Sequence, residues 1–150
     1  MYKKILVPLD GSTRAEAILP HAENLALSLH GEVILLYVDE SADLMLERDE
    51  VIDINKYLEN RQRLISAKEN YLQAIVDQWR ARDIPARWCI GHGSVVRGII
   101  ACAAKEKVDL VAMASHGMAG VETTYYGSVA AGVLNRIDRP LLLIRAQFIK

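Results

Sequence analysis

Apolar residues in this chain follow two alternating rhythms. Short, nearly continuous runs occupy residues 4–9, 33–38, 86–90, 108–113 and 141–144, and between them apolar positions recur every three or four residues. A run that is apolar on both faces suits a strand covered on both sides, whereas recurrence near 3.6 suits a helix with one buried face. Their alternation predicts βαβ units: an open five-stranded parallel sheet with helices on both faces.

The first helix is expected to open at Ser12 or Thr13, where Thr13-Arg14-Ala15-Glu16 reads as a capping box. Its buried face would be Ala15, Ile18, Leu19, Ala22, Leu25, Ala26 and Leu29, and Pro20 within it predicts a bend. Residues 39–53 are acid-rich without a clear period and read as a solvated connector. From Ile54 the stripe Ile54, Leu58, Arg61, Leu64/Ile65, Lys68, Tyr71/Leu72, Ile75/Val76, Trp79 predicts a long amphipathic helix to about residue 81. Gly91-His92-Gly93-Ser94 turns into a third helix with Val95, Val96, Ile99, Ile100 and Ala103 inward, and a fourth starts near Ser128 and stops before Pro140. Neither a repeat nor a linker interrupts the pattern, so residues 1–150 read as one domain.

Two loops carry candidate chemistry. The first run ends in Pro8-Leu9-Asp10-Gly11-Ser12, an acid, a glycine and a hydroxyl at the carboxyl end of a strand. The fourth leads through Met113-Ala114-Ser115-His116-Gly117 and nine further residues to Gly127-Ser128-Val129, where a helix begins. Backbone N–H groups at a helix N-terminus lack partners and sit at the positive end of the helix dipole, and glycine lets an anion come close. A carboxylate in the facing loop suits a ribose hydroxyl or a phosphate-bound metal. Taken alone, the glycines slightly favour the reading that they only turn the chain from strand to helix. If both loops share one ligand, strands one and four must be neighbours, and right-handed crossovers then favour the order 3-2-1-4-5.

Together these loops resemble the universal stress protein family in its nucleotide-binding branch, whose pattern is G-x2-G-x9-G-[ST] after the fourth strand with an aspartate after the first. Here it stands as Ala114-x2-Gly117-x9-Gly127-Ser128, with Asp10 in place and Val38 closing the second run. The resemblance covers essentially the whole chain and implies the same 3-2-1-4-5 sheet, Rossmann-like in the manner of the adenine nucleotide alpha hydrolases. It also implies an adenine nucleotide, ATP or AMP/ADP with Mg²⁺, bound by Pro8, Leu9, Asp10, Val38, Met113, Ala114, Ser115, Gly117, Gly127, Ser128 and Val129. The base is expected near Val38 and Met113, the ribose near Asp10, and the phosphates on the N–H groups of Gly117 and of Gly127 to Val129. A nucleotide-bound Mg²⁺ would meet Asp10. The implied role is a regulatory or protective module in stress response. Two alternatives stay open. One is a nucleotide-free dimeric stress scaffold; the other is an adenylyl-transfer enzyme of similar architecture, whose H-x-G-H or S-G-G-x-D-S signature Pro8-Leu9-Asp10-Gly11-Ser12 does not match.

Composition narrows the partners. At 51% hydrophobic, 25% charged and a net charge of −1, the chain is an ordinary soluble domain without the basic field that attracts nucleic acid. No apolar run approaches the roughly 20 residues of a membrane span, and Met1-Tyr2-Lys3-Lys4 leads straight into a strand, so the expected location is cytoplasmic. Lysine and arginine are absent between Val108 and Asn135, where a Walker-type loop would carry a lysine, so ATP hydrolysis is expected to be slow or absent. His116 is expected to pack or hydrogen-bond rather than act as a base, and His92 to be exposed rather than to ligate a metal. Cys89 and Cys102 are expected to be buried, inert thiols. Strand five falls at a sheet edge yet is apolar on both faces, so a homodimer through Leu141, Leu142, Leu143 and Ile144 is expected.

Overall fold

In the computed structural model, which describes residues 2–40, 54–115 and 127–145, side-chain alternation along the strands sorts the core into two layers. Strands β1 (Lys4–Pro8), β2 (Glu32–Asp39), β3 (Ala86–His92), β4 (Leu110–Ala114) and β5 (Leu141–Ile144) pair in parallel in the order β3-β2-β1-β4-β5. This is the expected order. Ile5, Val7, Val33, Leu35, Leu110 and Ala112 point to one face, where a short 3-10 helix (Ala15–Ile18), α1 (Leu19–Leu29) and α2 (Ile54–Arg80) cover them. Their neighbours Leu6, Ile34, Leu36, Val111 and Met113 point to the other, under α3 (Val95–Lys105) and α4 (Ser128–Arg136). Strands buried on both faces need no polar alternation, which is why the central ones read as continuous apolar runs.

Three local expectations change. Pro20 does not bend a helix interior: the 3-10 turn ends at Ile18, and Pro20 falls in the first turn of α1, where a missing N–H costs no hydrogen bond. Leu29 lies outside the core at 38% exposure, because α1 ends there and His30 takes the left-handed conformation at φ 53°. β3 continues to His92, two residues beyond its apolar run, because β2 pairs with it as far as Asp39↔His92. The cysteines also depart from expectation: both are half-buried, and their sulfurs are 3.5 Å apart.

Among the described residues no helix is long and apolar enough to cross a membrane.

Candidate functional site

β2 and β3 extend the sheet from one side of β1, and β4 and β5 from the other. The carboxyl ends of β1 and β4 therefore lie side by side where the strand order reverses, the place where open α/β sheets hold ligands.

The β1 loop is tied down at each step. Pro8, half-buried, ends the strand, and the N–H of buried Leu9 donates to the Leu36 carbonyl at 2.8 Å. Asp10 is half-buried, and its Oδ1 accepts the Ser12 N–H at 2.8 Å across Gly11, whose φ of +90° suits glycine. Ser12 Oγ in turn accepts the Ala15 N–H at 3.1 Å, so Ser12 caps the first helical turn. From α2, Lys68 donates its Nζ to the Asp10 carbonyl at 3.0 Å and stands 5.1 Å from the centroid of the Tyr37 ring. One turn on, Tyr71 donates to Glu16 Oε1 at 2.8 Å. Burial and the Glu16 carboxylate hold the Tyr71 hydroxyl well above the ordinary phenol range, and burial with nearby Asp39 raises Tyr37 too.

The β4 side is built differently. Ala114 lies in extended strand opposite Ile144, and the non-glycine residues with positive φ among those described are His30, Asp83 and Lys107. The backbone at Ala114 therefore needs no glycine. Buried Ser115 donates its N–H to the Ile144 carbonyl at 2.7 Å and accepts the Gly127 N–H at 2.6 Å. Gly127 is extended, at φ −79° and ψ 172°, and stands as N-cap of α4 without a side chain to cap it. The first intrahelical bond is Ala131 N–H to the Gly127 carbonyl, 3.0 Å. The N–H groups of Ser128, Val129 and Ala130 thus have no acceptor within the helix and point out of its positive end. The Gly127 N–H, expected among the anion donors, is instead committed to Ser115. Gly117 and His116 lie outside the described residues.

Val38 and Met113 are buried in the layer beneath α3 and α4. Val38 is pinned by α3: a Cβ on Gly98 would come within 2.8 Å of Val38 Cγ2. Ser128 is exposed, and Val129 packs partly against the same layer.

At the β2–β3 end of the carboxyl edge, Asp39 is only 1% exposed. It receives Arg61 Nε at 3.1 Å and stands 3.6 Å from His92 Nδ1. His92 is largely exposed, and an open cavity of about 310 Å³ lined by Leu58, Arg61, Gln62, Ile65 and His92 adjoins it. Lys68 and Arg61 are the functional-edge cations that reading the loops alone misses. Their signal was a charge at a stripe position of α2, which periodicity assigns to the buried face. Among the described residues no three His, Cys, Asp or Glu side chains come together as a metal site.

Comparison with known proteins converges on one family. The universal stress protein family profile matches residues 1–145. The universal stress protein MJ0577 of Methanocaldococcus jannaschii is 29% identical over 97% of this chain and 96% of its own length. The solved structure of MJ0577 superposes with a TM-score of 0.86, at 28% identity and 99% coverage of both chains. More distant in sequence are a universal stress protein in complex with cAMP (TM-score 0.69, 19% identity, 97% and 98% coverage) and an Arabidopsis thaliana family protein with AMP bound (TM-score 0.67, 16% identity, 97% and 92% coverage).

Proposed function

The chain belongs to the universal stress protein family, and from that premise we propose that it binds an adenine nucleotide across the β1–β4 opening and serves in stress response by binding rather than by turnover. The observation that carries this reading is an α4 N-terminus without a side-chain cap, following β4, the sheet neighbour of the strand that leads to Asp10. Three N–H groups there gain a partner when an anion arrives. The fold accommodates adenosine phosphates in the AMP-bound and cAMP-bound proteins, which favours adenine as the base.

In this reading the base rests over Val38 and Met113, the ribose meets Asp10, and the phosphates lie on Ser128 to Ala130 with Gly117. The single carboxylate of Asp10 would hold a Mg²⁺ carried by the triphosphate. Lys68, held at the Asp10 carbonyl, supplies positive charge that the β4 loop lacks. One lysine and a set of backbone dipoles can hold a triphosphate, but they do not make the cationic clamp of fast phosphoryl transfer. ATP turnover is therefore expected well below roughly 1 per second. Mass spectrometry of native protein should find a co-purified adenine nucleotide, and calorimetry with Mg²⁺ should show ATP or AMP binding. No heat of binding at millimolar nucleotide would refute the reading.

We also assign β5 to a homodimer interface. β5 pairs only with β4 among the described strands, and all four of its residues are half-buried. The opposite edge, β3, engages Arg87 with Glu32 and Glu106, which discourages pairing there. Leu143→Lys should shift the protein toward monomer in sedimentation while helix and sheet content persist. A wild-type chain that sediments as monomer at tens of micromolar would overturn the assignment.

A further inference from the structure

Helix α3 lies along β3, and their side chains meet in two rungs. Arg87 and Cys89, two apart, share a face of the strand; Cys102 lies on α3, and Glu106, four residues on, is its C-cap. Arg87 Nη2 reaches Glu106 Oε2 at 2.6 Å, and Cys89 Sγ lies 3.5 Å from Cys102 Sγ. Two residues of strand rise about 6.6 Å and four of helix about 6 Å, so the ion pair holds the register in which the sulfurs touch. Glu32 fixes Arg87 from the other side, accepting its Nε at 2.8 Å. Trp88, on the opposite face of the strand, donates to Gln73 at 2.7 Å and resists rotation of β3 about its axis. Both cysteines are half-buried.

We propose that Cys89 and Cys102 are a peroxide-reactive dithiol that closes reversibly to an intramolecular disulfide, stapling the β3 edge of the sheet to α3. The site is independent of nucleotide binding. Contact with the Cys102 sulfur, helped by the Arg87 and Lys105 cations against the pull of burial, holds the Cys89 thiol below its ordinary range; the same contact and burial push Cys102 up. Cys89, which shares its strand face with the Arg87 cation, is assigned as the attacking sulfur. Its thiolate attacks hydrogen peroxide, the S–O bond forms as the O–O bond breaks, and the departing hydroxide takes a proton to become water. Cys102, losing its proton to solvent, then attacks Cys89 Sγ; the S–S bond forms and the second hydroxide leaves, protonated, as water. Two thiols lose two electrons and one peroxide gains them. The sulfurs have to close to about 2.05 Å, an approach of roughly 1.5 Å that side-chain torsion and a small strand–helix adjustment supply.

The test exposes the full chain, at sub-micromolar concentration, to micromolar hydrogen peroxide, alkylates the remaining thiols and weighs the intact protein. The proposal predicts loss of both alkylatable thiols with a mass decrease of about 2 Da, reversed by dithiothreitol, and a Cys89–Cys102 cross-linked peptide. Cys102→Ser should stop at a sulfenic acid on Cys89 that dimedone traps, and Cys89→Ser should react about tenfold more slowly. Arg87→Ala, which leaves both thiols but loosens the register, should slow closure several-fold. Wild type that keeps both thiols under peroxide that oxidises the Cys102→Ser variant would overturn the proposal, as would cross-links found only between chains.

Discussion

The two sides of the crevice are finished in opposite ways. On the β1 side the loop meets its own needs: Asp10 holds the Ser12 N–H, Ser12 holds the Ala15 N–H, and Lys68 holds the Asp10 carbonyl. On the β4 side Gly127 brings no side chain to the start of α4, and the N–H groups of Ser128, Val129 and Ala130 have no acceptor within the helix. The contrast separates two tasks. A loop saturated by its own bonds is already ordered and presents one carboxylate in one place, so it sets orientation without an entropic cost at binding. An uncapped helix start gains from an anion what a capped one has already gained from its own chain.

Breaking the β4 side should cost the most affinity. Gly127 is extended rather than left-handed, so Gly127→Val is compatible with the backbone, and in the proposed pose its branched side chain would stand where the phosphates approach. Calorimetry should show adenine nucleotide bound about 10- to 100-fold more weakly, ~1.4 to 2.7 kcal/mol, with the melting temperature of the ligand-free protein little changed. Unchanged affinity would put the anion elsewhere.

Breaking the β1 side should instead cost stability. Ser12→Ala removes the cap on Ala15 and should destabilise the fold by about 1 kcal/mol, a fall of roughly 2–4 °C in Tm, with affinity altered less than twofold. A large affinity loss with no change in Tm would show that this hydroxyl faces the ligand, and the contrast would fail.

The smallest effect falls on the cation held at the Asp10 carbonyl. Lys68→Met keeps the stem over Tyr37 and deletes the charge; it should weaken ATP about threefold, weaken adenosine hardly at all, and lose that difference as salt is raised. Equal losses for ATP and adenosine would mean that Lys68 acts only by holding the Asp10 carbonyl.

The same contrast explains what could be read from the chain beforehand. The sheet order followed from two loops that had to meet, and the central strands announced themselves because Ile5-Leu6-Val7 and Leu110-Val111-Ala112 are covered on both faces. Local backbone detail was harder. Whether Pro20 sits inside a helix or in its first turn depends on where the preceding 3-10 turn ends, which periodicity does not resolve. Lys68 and Arg61 come to the carboxyl edge from a helix distant in sequence; their stripe positions were visible, but the loop each would meet was not. That the Gly127 N–H is already spent on Ser115 is a contact between the two ends of one loop, invisible in spacing. Cys89 and Cys102 offered no motif, since what joins them is the match of strand and helix rise set by Arg87 and Glu106.

The most direct measurement is backbone amide NMR of the isotopically labelled protein, titrated in parallel with ATP and with adenosine. The account predicts that the Ser128, Val129 and Ala130 amides shift strongly with ATP and hardly with adenosine, while those around Asp10 and Val38 respond to both. ATP-dependent shifts centred away from the start of α4, or identical patterns for the two ligands, would contradict it.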